Sequence, residues 1–171
     1  MKPLEPLEPL EPLVLVLATA LRDRGLKLAT AESCTGGLIA AACTAVAGSS
    51  DWFERGFVTY SNEAKAESLG VDRRVIAAHG AVSEPVARAM AEGALTHSQA
   101  QLTVAVTGIA GPGGGSAGKP VGAVWLAVAR AGEATHAELL QLRGDRASIR
   151  EQTVRHALQR LIEHAERAPG G

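Results

Sequence analysis

The sequence predicts an α/β domain, a three-layer α/β/α sandwich with a mixed, mostly parallel sheet. Two observations carry this. Strand-like apolar runs alternate with helix-like segments over the first two thirds of the chain, the order that builds parallel pairs. Two further strand-like runs, at 121–129 and 135–142, are then separated only by a turn around Gly132, which makes a hairpin. At 171 residues the chain is long enough for one domain with a sizeable core.

Residues 1–12 form a low-complexity tract of repeated Pro-Leu-Glu units. Prolines at every third position remove helix donors and favour an extended tail. Pro12 suits a first helical turn, so a helix is expected from there to just before Gly25. A single domain is expected over 13–167, with a frayed end at 168–171. Within it, a strand at 26–30 leads into a helix at 38–43, and an aromatic, β-branched run at 52–60 reads as a strand. Asn62 is read as the cap of a short helix ending near Gly70, and Asp72 as the cap of another ending near Gly80. Ser83-Glu84-Pro85 opens a helix running to about His97. A buried-type strand at 102–107 runs into a glycine-rich loop at 108–116, and Asp145 caps a final helix to about Glu166.

Bulk properties exclude several function classes. Formal net charge is −1 and aromatics are 3% of residues, so neither nucleic acid nor an anionic membrane has a footprint here. The histidines are scattered and no Cys/His spacing suggests zinc, so no metal and no cofactor is expected. Two cysteines, Cys34 and Cys43, fit a reduced, cytoplasmic setting. The N-terminus carries glutamates and prolines where a signal peptide needs an apolar core, and no run is long enough to span a membrane.

The chemistry gathers at three strand ends: 33–37, 60–65 and 107–116. Ligands of α/β sheets bind beyond the carboxyl ends of parallel strands. Ser33 falls on a sharp strand-to-helix turn, which can present a nucleophile beside backbone N–H donors. The plainer reading is that Ser33 or Thr35 caps the helix. No histidine occupies a strand end, so a Ser-Lys arrangement with Lys65 replaces a Ser-His-Asp triad, with Tyr60 relaying a proton or holding the lysine. The loop from Gly108 to Gly115 either cradles a phosphate or is a long connection; it lacks the Gly-Lys-Ser/Thr ending of a P-loop. Lys119 and Arg146 supply cations that can meet a phosphate.

Ala31-Glu32-Ser33-Cys34-Thr35-Gly36-Gly37, the 57–65 run Phe-Val-Thr-Tyr-Ser-Asn-Glu-Ala-Lys, His79-Gly80-Ala81-Val82-Ser83, the 108–114 run Gly-Ile-Ala-Gly-Pro-Gly-Gly and Lys119-Pro120-Val121-Gly122 occur in this order. Together they resemble the CinA C-terminal domain family, over nearly all the chain from Leu26 to the last helix. Stand-alone members of that family are nicotinamide-nucleotide amidohydrolases. The resemblance implies hydrolysis of the carboxamide of nicotinamide mononucleotide to nicotinate mononucleotide and ammonia. It implies a nucleophile at Ser33 with Tyr60 and Lys65 as catalytic partners, a homo-oligomer and no required metal. The turn residues Cys34, Thr35, Gly36 and Gly37 are the candidates for oxyanion stabilisation, and Asn62, Thr107, Gly108, Ala110, Gly111, Lys119 and Arg146 for substrate binding. Longer CinA proteins carry an additional N-terminal domain, for which this chain is expected to have no room.

Two other readings compete. A nucleotide-binding or regulatory module without catalysis, linked to competence or DNA damage, would have no need of an intact Ser33/Tyr60/Lys65 set. A short-chain oxidoreductase uses the same three residue types but places Tyr and Lys four apart; here they are five apart.

Overall fold

The computed structural model describes residues 7–168; the expectations for 1–6 and 169–171 lie outside them. The Pro-Leu-Glu tract ends earlier than its repeat suggests. Glu8–Leu10 form a 3-10 turn, helix α1 spans Glu11–Arg24, and Leu10 is buried in the core. The tract therefore hands its last leucines to the domain, and Pro12 sits in the first turn as expected. Gly25 closes α1 in the left-handed conformation, its N–H donating to the carbonyls of Leu21 and Arg22.

The remaining elements are β1 (Leu28–Glu32), α2 (Leu38–Thr44), β2 (Phe53–Val58), α3 (Asn62–Leu69), α4 (Arg73–His79), α5 (Glu84–Thr96), β3 (Leu102–Gly108), β4 (Ala123–Arg130), β5 (His136–Gln141) and α6 (Arg146–Glu166). The five strands lie in the order β2-β1-β3-β4-β5. β1 is parallel to β2 and to β3, while β3–β4 and β4–β5 are antiparallel. The sheet is mixed, with the two kinds of pairing in equal number. The cause is the β3–β4 connection: it holds glycines and no crossover helix, so the chain must turn back on itself.

The strands show each face a different side-chain size. Leu28, Leu102, Val104, Val106, Val124, Leu126 and Val128 pack with α1, α2 and α6. Ala31, Ala105, Ala127 and Ala129 pack with α5 and the α3–α4 segment on the opposite face. Small side chains let α5 approach closely. The Thr103 hydroxyl donates to the Ala91 carbonyl of α5 at 2.7 Å. On the other side of α5, a Cβ at Gly93 would overlap the Leu69 carbonyl at the end of α3.

The parallel core brings three strand ends to one edge. Glu32 pairs with Val58 on one side and Val106 on the other, so the residues that follow β1, β2 and β3 emerge together.

Candidate active site

The turn after β1 is set by hydrogen bonds that begin at Ser33. Its N–H donates to the Val106 carbonyl at 3.0 Å, extending the β1–β3 ladder by one residue. Its carbonyl accepts from the Gly36 N–H at 3.0 Å, which closes the turn. Gly36 and Gly37 follow at φ of 59° and 106°, conformations that side-chain-bearing residues adopt only with strain.

Glu32 organises the start of α2. It is fully buried. Its Oε1 accepts from the Thr35 hydroxyl at 2.6 Å and the Ile39 N–H at 2.8 Å, and its Oε2 from the Ala40 N–H at 3.0 Å. Burial pushes the Glu32 carboxyl pKa up, opposed by these donors. Neither Ser33 nor Thr35 caps the helix; the preceding carboxylate does. The Gly36 N–H and the Thr35 hydroxyl are both engaged inside the turn. Of Cys34, Thr35, Gly36 and Gly37, only Cys34 lines the cleft described below. Glu32→Gln is expected to lower unfolding free energy by roughly 1–3 kcal/mol, because an amide NH₂ must then face a backbone N–H. A urea titration checks this, and unchanged stability would remove the carboxylate as the turn's clamp.

Lys65 reaches the same place from α3. Ser61, not Asn62, caps that helix: its hydroxyl accepts from the Ala64 N–H at 3.0 Å, and Asn62 is the first helical residue. Serine wins because the chain at Ser61 is extended, the backbone an N-cap needs. Helical side chains tilt toward the N-terminus, so Lys65 points back over the strand end. It is 1% exposed. Its Nζ lies 2.9 Å from Ser33 Oγ and donates to the Thr59 carbonyl at 2.8 Å, with the Tyr60 and Ser61 carbonyls at 3.4 and 3.5 Å. Burial holds its pKa below the usual lysine value. The amine thus has four acceptors within 3.5 Å, the Ser33 oxygen and three backbone carbonyls.

Ser33, Cys34, Tyr60, Asn62 and Lys65 line a cleft of about 270 Å³. Thr107, Gly108, Ala110, Gly111 and Arg146 line it as well. The Thr107 hydroxyl donates to the Ala81 carbonyl at 3.0 Å, tying β3 to the α4–α5 connection. Arg146, the first residue of α6, donates to the Gly111 carbonyl at 2.9 Å and to the hydroxyl of the exposed Tyr60 at 3.3 Å. Lys119 is elsewhere. Its Nζ donates to the His79 carbonyl at 2.7 Å, and it lines a separate groove beside Trp125 and Leu139. The Cys34 thiol also borders the cleft, but burial pushes its pKa up to about 11, so it stays protonated near neutral pH and is a poor nucleophile beside Ser33. Among the described residues no cluster of three His, Cys, Asp or Glu side chains can hold a metal, and no helix is long and apolar enough to cross a membrane.

A family model described as the CinA C-terminal domain matches residues 10–165. The chain belongs to the CinA C-terminal domain family. It is 56% identical over 144 residues to the nicotinamide-nucleotide amidohydrolase PncC of Escherichia coli K12, covering 83% of this chain and 86% of that protein. It is 57% identical over 146 residues to a putative competence-damage inducible protein of Symbiobacterium thermophilum, covering 81% of this chain and spanning 34% of that longer relative. The crystal structure of the competence/damage inducible protein CihA from Agrobacterium tumefaciens superposes at a TM-score of 0.89 with 48% identity, covering 95% of this chain and 98% of that one. The α/β fold is thus the fold of the CinA superfamily.

Several residues at the cleft were not singled out as individual site residues by the sequence. Ala81 and Val82 line it from the α4–α5 connection, and Ile109, Gly113 and Gly114 from the loop after β3. Arg150 of α6 donates to the Thr35 carbonyl at 3.0 Å and so touches the Ser33 turn from a helix 115 residues later. Glu32 carries the one available signal, a carboxylate ending an otherwise apolar strand.

Proposed function

We propose that this CinA domain is an amidohydrolase that deamidates nicotinamide mononucleotide to nicotinate mononucleotide by a Ser33–Lys65 mechanism. The observation that carries the reading is the 2.9 Å approach of a buried lysine amine to a serine hydroxyl at the wall of a cleft. The identity to the E. coli amidohydrolase supports the substrate class.

Neutral Lys65 takes the Ser33 proton as Oγ bonds to the carboxamide carbon. The carbonyl π electrons move to oxygen, and the Cys34 N–H, the amide after the nucleophile, faces the developing oxyanion. The lysine ammonium then protonates the leaving nitrogen, the C–N bond breaks, and ammonia departs from a nicotinoyl ester on Ser33. Water, deprotonated by the regenerated amine, adds to that ester. The second tetrahedral intermediate collapses, and Ser33 regains its proton as nicotinate mononucleotide leaves. Two moderate barriers replace the single high barrier of direct amide hydrolysis. Tyr60, bonded to Arg146, borders the site where the pyridine ring stacks or its proton is relayed. The same reading makes the protein a cytoplasmic homo-oligomer.

Ammonia release from nicotinamide mononucleotide by purified protein tests the reading, with free nicotinamide and NAD as controls. Activity is expected to survive exhaustive chelation with EDTA. Loss on chelation with recovery on zinc or magnesium would overturn the metal-free mechanism, and nucleotide binding without ammonia release would make the protein a non-catalytic module instead.

A further inference from the structure

Two segments line the cleft without belonging to the Ser33–Lys65 pair. The α4–α5 connection supplies Ala81 and Val82, and the loop after β3 supplies Gly113 and Gly114. That loop has little to hold itself in shape. Residues 112–118 are all exposed, and four of these seven are glycine. Glycine gives up more conformational freedom on ordering than any other residue, so the segment depends on its anchors. At the near end the Gly111 carbonyl accepts from Arg146 at 2.9 Å. At the far end the Ser116 N–H donates to the Lys119 carbonyl at 2.8 Å, and the Lys119 N–H to the Ser116 hydroxyl at 3.2 Å.

The Lys119 side chain then leaves the loop for the other segment. It is half-buried, and its Nζ donates to the His79 carbonyl at 2.7 Å. His79 ends α4, where the last carbonyls lack partners inside the helix and a cation is favoured. The seat is close: a Cβ on Gly80 would lie 2.8 Å from the Lys119 Nζ. Val82 lines both the cleft and the groove that holds Lys119, so the α4–α5 connection stands between the two. Lys119 grips this connection at His79, and the Thr107 hydroxyl grips it at the Ala81 carbonyl at 3.0 Å.

We infer that Lys119 is a positioning residue, a latch that ties the glycine-rich loop to the α4–α5 connection and so fixes the shape of the cleft that receives the substrate, an inference that rests on the amidohydrolase reading above. Ser33 and Lys65 are carried by the β1 turn and by α3, whereas the Lys119 bond runs to the end of α4. The latch therefore acts on substrate binding and leaves the proton-transfer pair alone. Without it the loop is loose in the unliganded protein, and the substrate must order it on arrival, which weakens binding.

The test measures deamidation of nicotinamide mononucleotide by wild type, Lys119→Met and Lys119→Arg. Methionine keeps an unbranched stem and removes the donors, while arginine keeps donors that can reach a carbonyl. Lys119→Met is expected to raise KM about 10-fold with kcat within about 3-fold of wild type, and Lys119→Arg to regain most of that loss. An unchanged KM in Lys119→Met, or a fall in kcat at constant KM, would overturn the inference. A second arm follows amide hydrogen exchange in the unliganded proteins. The Ser116 and Lys119 amides should exchange at least about 5-fold faster in Lys119→Met and near the wild-type rate in Lys119→Arg, with the sheet unchanged in both. A lysine that only attracts the anionic substrate would raise KM in Lys119→Met while leaving this exchange as it is, and that result overturns the latch. So does faster exchange confined to α4, which would reduce Lys119 to a cap for that helix. If wild type releases no ammonia, the amidohydrolase reading fails and the exchange arm decides the latch by itself: unchanged loop exchange in Lys119→Met refutes it.

Discussion

Ser33→Ala is expected to fold with an unchanged melting temperature and to lose deamidation by on the order of 10⁴-fold or more. The fold is insensitive because the Ser33 hydroxyl caps no helix: the α2 amides are bound by Glu32. The side chain's partner is the Lys65 amine, which keeps the Thr59 carbonyl when the hydroxyl is removed. The loss is large because no second nucleophile stands ready; Cys34 borders the cleft with its thiol protonated near neutral pH. Steady-state ammonia release and a thermal melt on the same preparation check the prediction. A variant retaining a tenth of the wild-type rate would take Ser33 out of the mechanism.

Lys65→Arg is expected to be nearly as inactive as Lys65→Ala, down roughly 10²–10⁴-fold, although it preserves the positive charge. A guanidinium stays protonated at any pH the protein survives, so it has no lone pair to accept the Ser33 proton. Burial lowers the Lys65 pKa, so the amine becomes neutral at a lower pH than an exposed lysine does. If Lys65 is the proposed base, the active form is the deprotonated one, so the wild-type rate rises with pH through a group titrating below the usual lysine value of ~10.4. Single-turnover deamidation across pH, with substrate binding followed separately, distinguishes a base from an electrostatic anchor. Near-wild-type chemistry in Lys65→Arg would refute the Ser-Lys mechanism while leaving the overall reaction standing.

The sequence was most informative where function is local. Tyr60 and Lys65 belong to one strand-to-helix connection, and the strand ahead of Ser33 and the glycines behind it define a turn, so spacing alone places these groups at strand ends. Long-range relations were not legible. Nothing in the local pattern puts Arg150 against Thr35, because that contact depends on how α6 crosses the sheet. Nor does it put Lys119 on the His79 carbonyl, since the loop after β3 folds away from the cleft before it re-enters the sheet. Glu32 was hidden for another reason: a carboxylate inside an apolar run looks like a strand-edge charge until the helix amides it serves are in place. The tract at the N-terminus misled by composition, since its proline period says nothing of whether its last leucines find a core.

Gly93 gives the active site a distant dependence. It never approaches the cleft, yet the helix it belongs to rests directly on the end of α3, where any side chain would collide with the Leu69 carbonyl. Leu69 lies one turn beyond Lys65, and the Lys65 carbonyl itself accepts from the Val71 N–H that ends the helix. A methyl group at 93 would lever α3 outward about its Ser61 cap and withdraw the amine from the serine. Hydrogen-bonded proton transfer tolerates displacements of only a few tenths of an ångström, about the width of the N···O distance range. Under the proposed mechanism the bare α-carbon of a buried glycine is therefore a shim for Lys65, and a change there would register as lost turnover.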